Sequence, residues 1–231
     1  MRILCLAPGD DDRTARLHSA GRVLGVEAVE TLRYTEGAMW PNGEWKTTPE
    51  IGTRLSIAPI ADLVGGIGGR IAESGPDIVI THSPYGDYGH PDHAAVSTAV
   101  RATVQKSSNT QQSPIELYLL EWPRWVVRLN ARLMKLGGRD TRRMGEDGRF
   151  NLNRMLHSEI GTLVKVDVAG HLEVRREASR LYAAEIAKGP LPMRLLEMAP
   201  HSLQRFFLGT ARLRRVDTCI ESLPLIGETN S

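Results

Sequence analysis

The chain has 231 residues, 29 of them basic and 27 acidic, with 41% hydrophobic and 24% charged residues. So even a charge balance offers no electrostatic case for a nucleic-acid partner, and the apolar content suffices for the core of one domain. The two cysteines, Cys5 and Cys219, lie far apart, which excludes a disulfide framework and a paired-cysteine zinc knuckle and points to a reducing compartment.

At the start, Arg2 to Ala7 reads as a short buried strand closed by Pro8-Gly9. Its apolar part, Ile3 to Ala7, is too short for a signal-peptide core, and acidic residues follow at once. No segment approaches the roughly 20 apolar residues needed to span a bilayer. These features predict a cytoplasmic protein. Asp10, Asp11 and Asp12 precede a helix over Arg13 to Leu24, and Val26 to Tyr34 reads as a second strand. Thr35 to Pro49 is a loop of the length usually kept for function. A helix follows over Ile60 to Ser74, although Gly65, Gly66, Gly68 and Gly69 each weaken it by roughly 1 kcal/mol.

Ile78 to Thr81 is a continuous apolar run of the kind found in buried parallel strands. A Gly- and Tyr-rich turn over Ser83 to Gly89 leads to a helix from Pro91 to Val104, a polar linker (Ser107 to Ser113) and a strand over Ile115 to Leu120. Trp122 to Met134 reads as a helix, Gly137 to Gly148 as a mobile stretch, Thr162 to Val168 as a strand and His171 to Lys188 as an amphipathic helix. The alternation predicts an α/β fold: a Rossmann-like, mostly parallel sheet with helices on both faces, forming a single domain over 1–220 with a flexible tail over 221–231. Ligands in such sheets sit beyond the carboxyl ends of the strands, which points at the loops after Ala7 and after Thr81.

The strongest local signal is Thr81-His82-Ser83-Pro84-Tyr85-Gly86-Asp87-Tyr88-Gly89-His90-Pro91-Asp92-His93. With Pro91 at the first helical position, which suits its fixed φ, His90 and His93 lie three apart and face the same way. Two imidazoles and a carboxylate at a helix start suit metal binding and catalysis. The plainer reading makes them surface histidines, with Asp92 an early-helix charge.

The run Pro76-Asp77-Ile78-Val79-Ile80-Thr81-His82 leading into Tyr88-Gly89-His90-Pro91-Asp92-His93 resembles the second signature of the PIG-L/LmbE-like N-acetylglucosaminyl deacetylases. Arg16 to Val26, Val166-Asp167-Val168 and Phe206-Phe207-Leu208-Gly209 are also similar to that family. The resemblance implies a zinc-dependent hydrolase that removes an acetyl group from an N-acetylated sugar conjugate. It makes His93 a zinc ligand and His90 the group that stabilises the oxyanion or protonates the leaving amine. Asp92 would orient that histidine, and Tyr88 would reach the substrate carbonyl.

The family's first signature, Ala-His-Pro-Asp-Asp-Glu, has no full counterpart here. Ala7-Pro8-Gly9-Asp10-Asp11-Asp12 would occupy its place, with Pro8 where the family has its ligand histidine. In one explanation the motif is degenerate, with Asp10 kept as general base and Asp11 as metal ligand. In the other, Arg2 to Gly9 corresponds to the family's second strand; this fits better, because the first requires a deleted helix and strand between Asp12 and Arg13. Moving Arg2 to Ala7 into the resulting gap would bring Asp10 and Asp11 towards His93. Carboxylates at a helix start also cap N–H groups and complement the helix dipole. His82 is a conceivable replacement ligand. Without zinc, the alternative is a non-catalytic relic binding a sugar or nucleotide sugar.

Arg124, Arg128, Arg132, Lys135, Arg139, Arg142 and Arg143 stand against Asp140 alone in the segment 122–143. With Trp122, Trp125, Val126, Leu129 and Leu133 this predicts a basic amphipathic helix, suited to a membrane surface, to an anionic substrate, or simply to covering the core. Any membrane contact is expected only there.

Overall fold

The computed structural model describes residues 1–37, 54–108, 114–143, 151–189 and 191–217. The expected tail over 221–231 and most of the loop over Thr35 to Pro49 lie outside these residues. Strand β1 (Arg2–Cys5) pairs in parallel with β2 (Ala28–Thr31), Arg2 opposite Ala28 and Cys5 opposite Thr31. Helix α1 (Asp11–Val23) joins them. It lies so close to β2 that a Cβ at Gly21 would collide with Val29, so only glycine fits there.

Helix α2 (Ile60–Ser74) has the expected bounds and ends at Gly75 in a left-handed cap. Leu63, Ile67 and Ile71, at helical spacing, are buried in one core with Leu6 of the first segment, with Ala99, Val100 and Val104 of α4 (Pro91–Ser108), and with Leu117 and Leu119 of β4 (Glu116–Leu120). Packing against α4 thus overrides the poor intrinsic propensity of a glycine-rich helix.

Strand β3 (Ile78–Thr81) pairs in parallel with β4. Beyond β4 come two strands that close the sheet in the order β3-β4-β6-β5, where β5 is Thr162–Asp167 and β6 is Thr210–Val216. Because β6 runs antiparallel to both neighbours, β3, β4 and β5 share one direction and β6 alone is reversed. The expected mostly parallel α/β arrangement is therefore present, with one reversed strand that the sequence reading did not anticipate. Between β5 and β6 lie α6 (Leu172–Arg180), α7 (Ala183–Lys188), α8 (Leu191–Met198) and α9 (His201–Leu208). The single helix expected over His171 to Lys188 is broken at Leu181 and Tyr182, where Tyr182 leaves helical geometry at φ −111 and ψ 24. Helix α7 holds α1 through an ion pair of 2.7 Å between Arg16 and Glu185.

Among the described residues β1 and β3 are not hydrogen-bonded, so the six strands form two sheets over one continuous core. Among the described residues β1 pairs with β2 and not with β3, so Arg2 to Ala7 does not take the place beside β3. One face of β3 is open to solvent. Ile78 and Ile80 are 53% and 54% exposed, whereas Thr81 and the neighbouring Leu117 are buried. Unfolding by urea should register this asymmetry. Ile80→Thr should change the unfolding free energy by less than about 1 kcal/mol, while Leu117→Ala should cost about 2–5 kcal/mol.

Candidate metal centre

The chain leaves β3 at the buried Thr81 and reaches α4 within nine residues, so it must reverse sharply. A one-turn helix, α3 (Gly86–Gly89), makes that reversal with positive φ at Gly86 (71°), Asp87 (58°) and Gly89 (95°). A positive φ costs glycine little and is uncommon for any other residue, so Asp87 needs compensation from its contacts. Its backbone N–H donates to Ser83 Oγ at 3.0 Å, and the Ser83 N–H donates to Asp87 Oδ1 at 2.9 Å.

The other carboxylate oxygen of Asp87 gathers two histidines. His82 Nδ1 lies 2.6 Å from Oδ2 and His93 Nδ1 lies 2.9 Å from the same atom. Their rings stack, with centroids 3.9 Å apart and planes 16° off parallel. Ligand-type atoms of His82, Asp87 and His93 all lie within 4.8 Å of one another. Burial pushes the Asp87 carboxyl up, but the hydrogen bonds to His82 and His93 and the attraction of His82 outweigh it. The group is held well below the usual carboxylate range. Tyr88 sets its ring edge-on to His93, with centroids 5.2 Å apart.

His90 occupies a second, deeper position. It is buried, and its ring centroid lies 4.9 Å from that of His93. The Asp92 backbone N–H donates to His90 Nδ1 at 3.2 Å, which leaves the proton of a neutral ring on Nε2. That nitrogen faces the Glu36 carboxylate at 3.9 Å. Asp92 is itself buried and accepts from the Gly37 N–H at 2.7 Å, while its Oδ1 has no hydrogen-bond partner among the described residues. Burial raises its carboxyl above the usual range, and nearby Glu36 adds to the effect.

The sequence-predicted residues are thus divided between two places. Tyr88, His90, Asp92 and His93 come together at the end of β3. Asp10 instead caps α1, accepting from the Arg13 N–H at 2.7 Å, and Asp11 lies exposed in the first turn of that helix. Neither belongs to the cluster of His82, Asp87 and His93. Asp87 and Glu36 were not singled out from sequence. The Gly-Tyr-Gly frame around Asp87 was the available signal, since a lone acidic residue between two glycines marks a tight turn. Glu36 gives no signal beyond its place at the start of the long loop.

Residues 7–104 match the family model described as PIG-L, GlcNAc-PI de-N-acetylase. A protein of Mycobacteroides abscessus named 1D-myo-inositol 2-acetamido-2-deoxy-alpha-D-glucopyranoside deacetylase is 35% identical over 96 residues, covering 42% of this chain and 34% of that protein. The protein of the same name from Rhodococcus jostii is 30% identical over 161 residues, covering 64% of this chain and 54% of that protein. The chain therefore spans about a third to a half of these relatives' length. Among solved structures, the zinc-inhibited form of teicoplanin deacetylase aligns with a TM-score of 0.53 at 19% identity, covering 91% of this chain and 77% of that one. That likeness concerns the fold. The likeness to the PIG-L family model thus rests on residues 7–104, which hold both the Asp10–Asp12 run and the His90-Pro91-Asp92-His93 element, and the solved structures add a shared fold.

Proposed function

We propose that this chain hydrolyses the acetamido group of an N-acetylglucosaminyl-type conjugate, with His82, Asp87 and His93 holding a zinc ion and His90 serving the chemistry. The observation that carries this reading is the convergence of two imidazoles on one ionised carboxylate, next to a buried histidine with a proton to donate. The donor set fits the ion. Two histidines and a carboxylate are three ligands of the types that hold catalytic zinc, and ligating groups must be deprotonated, as Asp87 is held to be.

Zinc bound here would supply a Lewis acid and lower the pKa of water to about 7. The chain's own residues do the rest. His90 presents an Nε2–H that can donate a hydrogen bond to a developing oxyanion. The backbone at Asp92 fixes that tautomer, and Gly37 fixes the Asp92 side chain. The Glu36 carboxylate lies 3.9 Å from His90 Nε2. Tyr88 walls one side of the histidine cluster, its ring edge-on to both His90 and His93.

Metal analysis of the purified chain should find about one zinc. His93→Ala and Asp87→Ala should weaken zinc by about 100-fold or more, while Asp11→Ala should leave it unchanged. Acetate release from an N-acetylglucosaminyl substrate should fall by roughly 10²- to 10³-fold in His90→Ala. A chain that takes up no zinc and releases no acetate would leave the metal-free sugar-binding reading in its place.

A second measurement concerns stability without metal. Asn tolerates positive φ much as Asp does, so Asp87→Asn isolates the charge that both imidazoles share. In chelator-treated protein it should lower the unfolding free energy by about 2 kcal/mol, the scale of hydrogen bonds to a charged acceptor.

A further inference from the structure

We propose that the outward face of α5 (Arg124–Leu136) is a docking surface for an anionic lipid bilayer. At about 100° per residue the helix divides into three strips. Val127, Ala131 and Met134 point inward, packed with Leu152 and Met155. Arg124, Arg128, Arg132 and Lys135 form a second strip, all exposed. Trp125, Leu129, Leu133 and Leu136 form the third, and they too are exposed, Leu136 by 85%. The core-covering reading of this segment accounts for the first strip alone.

The apolar strip continues onto α9. Phe206 is 70% exposed, and its ring lies 6.0 Å from that of Trp125. Leu203, one turn away on the same helix, is also exposed. Contiguous apolar surface of this kind marks an interaction site.

The charge pattern selects the partner. From Arg124 to Arg139 the sequence holds no acidic residue. Two copies meeting through this face would oppose like charges, and nucleic acid would leave the tryptophan, phenylalanine and leucines unsatisfied. An anionic bilayer surface meets both demands. Apolar side chains enter the acyl boundary while arginine and lysine stems run alongside and place their charges at the headgroups. A tryptophan at the polar boundary suits the same surface. The proposal stands apart from the metal centre and does not rest on the hydrolase reading.

The test is flotation of the full chain with vesicles of phosphatidylcholine mixed with phosphatidylglycerol, against vesicles of phosphatidylcholine alone. The chain should bind the anionic vesicles at least about tenfold more tightly and lose most of that binding in about 0.5 M salt. Leu129→Glu with Leu133→Glu should abolish binding, and Arg128→Gln with Arg132→Gln should weaken it by about tenfold or more. Both pairs alter exposed positions, so their circular dichroism and melting should match the parent. Equal binding to both vesicle types, no binding, or unaltered binding by both variants would overturn the proposal. So would a stable dimer that Leu129→Glu with Leu133→Glu disperses while vesicles bind nothing, which would assign the face to a second copy.

Discussion

One oxygen atom, Oδ2 of Asp87, is the acceptor shared by His82 at the end of β3 and His93 in the first turn of α4. Two imidazoles stacked 3.9 Å apart would repel if both were protonated and would have no reason to converge if neither had a partner. The carboxylate supplies that reason, and its position demands a backbone that reverses inside the segment from Ser83 to Gly89. The positive φ at Asp87 follows from this demand and persists because Ser83 holds both the side chain and the backbone of Asp87. Gly89 completes the reversal where a side chain would press on Arg154 at 3.2 Å, so residues 151–156 can close over the turn.

Two strand ends of a parallel sheet could carry ligands, and they contribute differently. At the end of β3 the side chains face one another across the turn. At the end of β1, Pro8 has no donor and Asp10 spends its carboxylate on the exposed N–H groups of α1. The two ends nonetheless communicate. Arg13 in α1 pairs with Glu36 at 2.5 Å, and Glu36 stands 3.9 Å from His90 Nε2. The first strand-helix unit thus sets the field at the buried histidine through a pair of charges rather than through a metal ligand. Glu36 divided between Arg13 and His90 is a milder partner for the ring than an unpaired carboxylate would be.

Much of this was legible because local rules and tertiary packing agreed. Ile60 to Ser74 and Ile78 to Thr81 have the bounds expected from periodicity and from the Pro76-Asp77 break. The His-Pro-Asp-His element placed Pro91 at the helix start and His90 and His93 on one side. What escaped was set by distant partners. Thr210 to Val216 carries Arg212, Arg214 and Arg215, a pattern that hides a strand. Its pairing depends on β4 and β5, and Arg214 is satisfied by both oxygens of Glu121. Asp87 escaped for a related reason. Its role depends on His82 and His93 meeting in space, and no sequence spacing announces a shared acceptor.

Helix α5 ties the site to the surface. Its inner residues Val127 and Ala131 pack with Leu152 and Met155, and Tyr88 rests against that same cluster while setting its ring edge-on to His93. A rigid element therefore has one face supporting a wall of the histidine cluster and another carrying exposed leucines and arginines. Packed interiors transmit displacement because they contain little void to absorb it. Helix α5 thus meets Tyr88 through this cluster and not through the sheet. The break between β1 and β3 leaves this path intact, because α5, residues 151–156 and Tyr88 cohere through a cluster separate from the core that spans the two sheets.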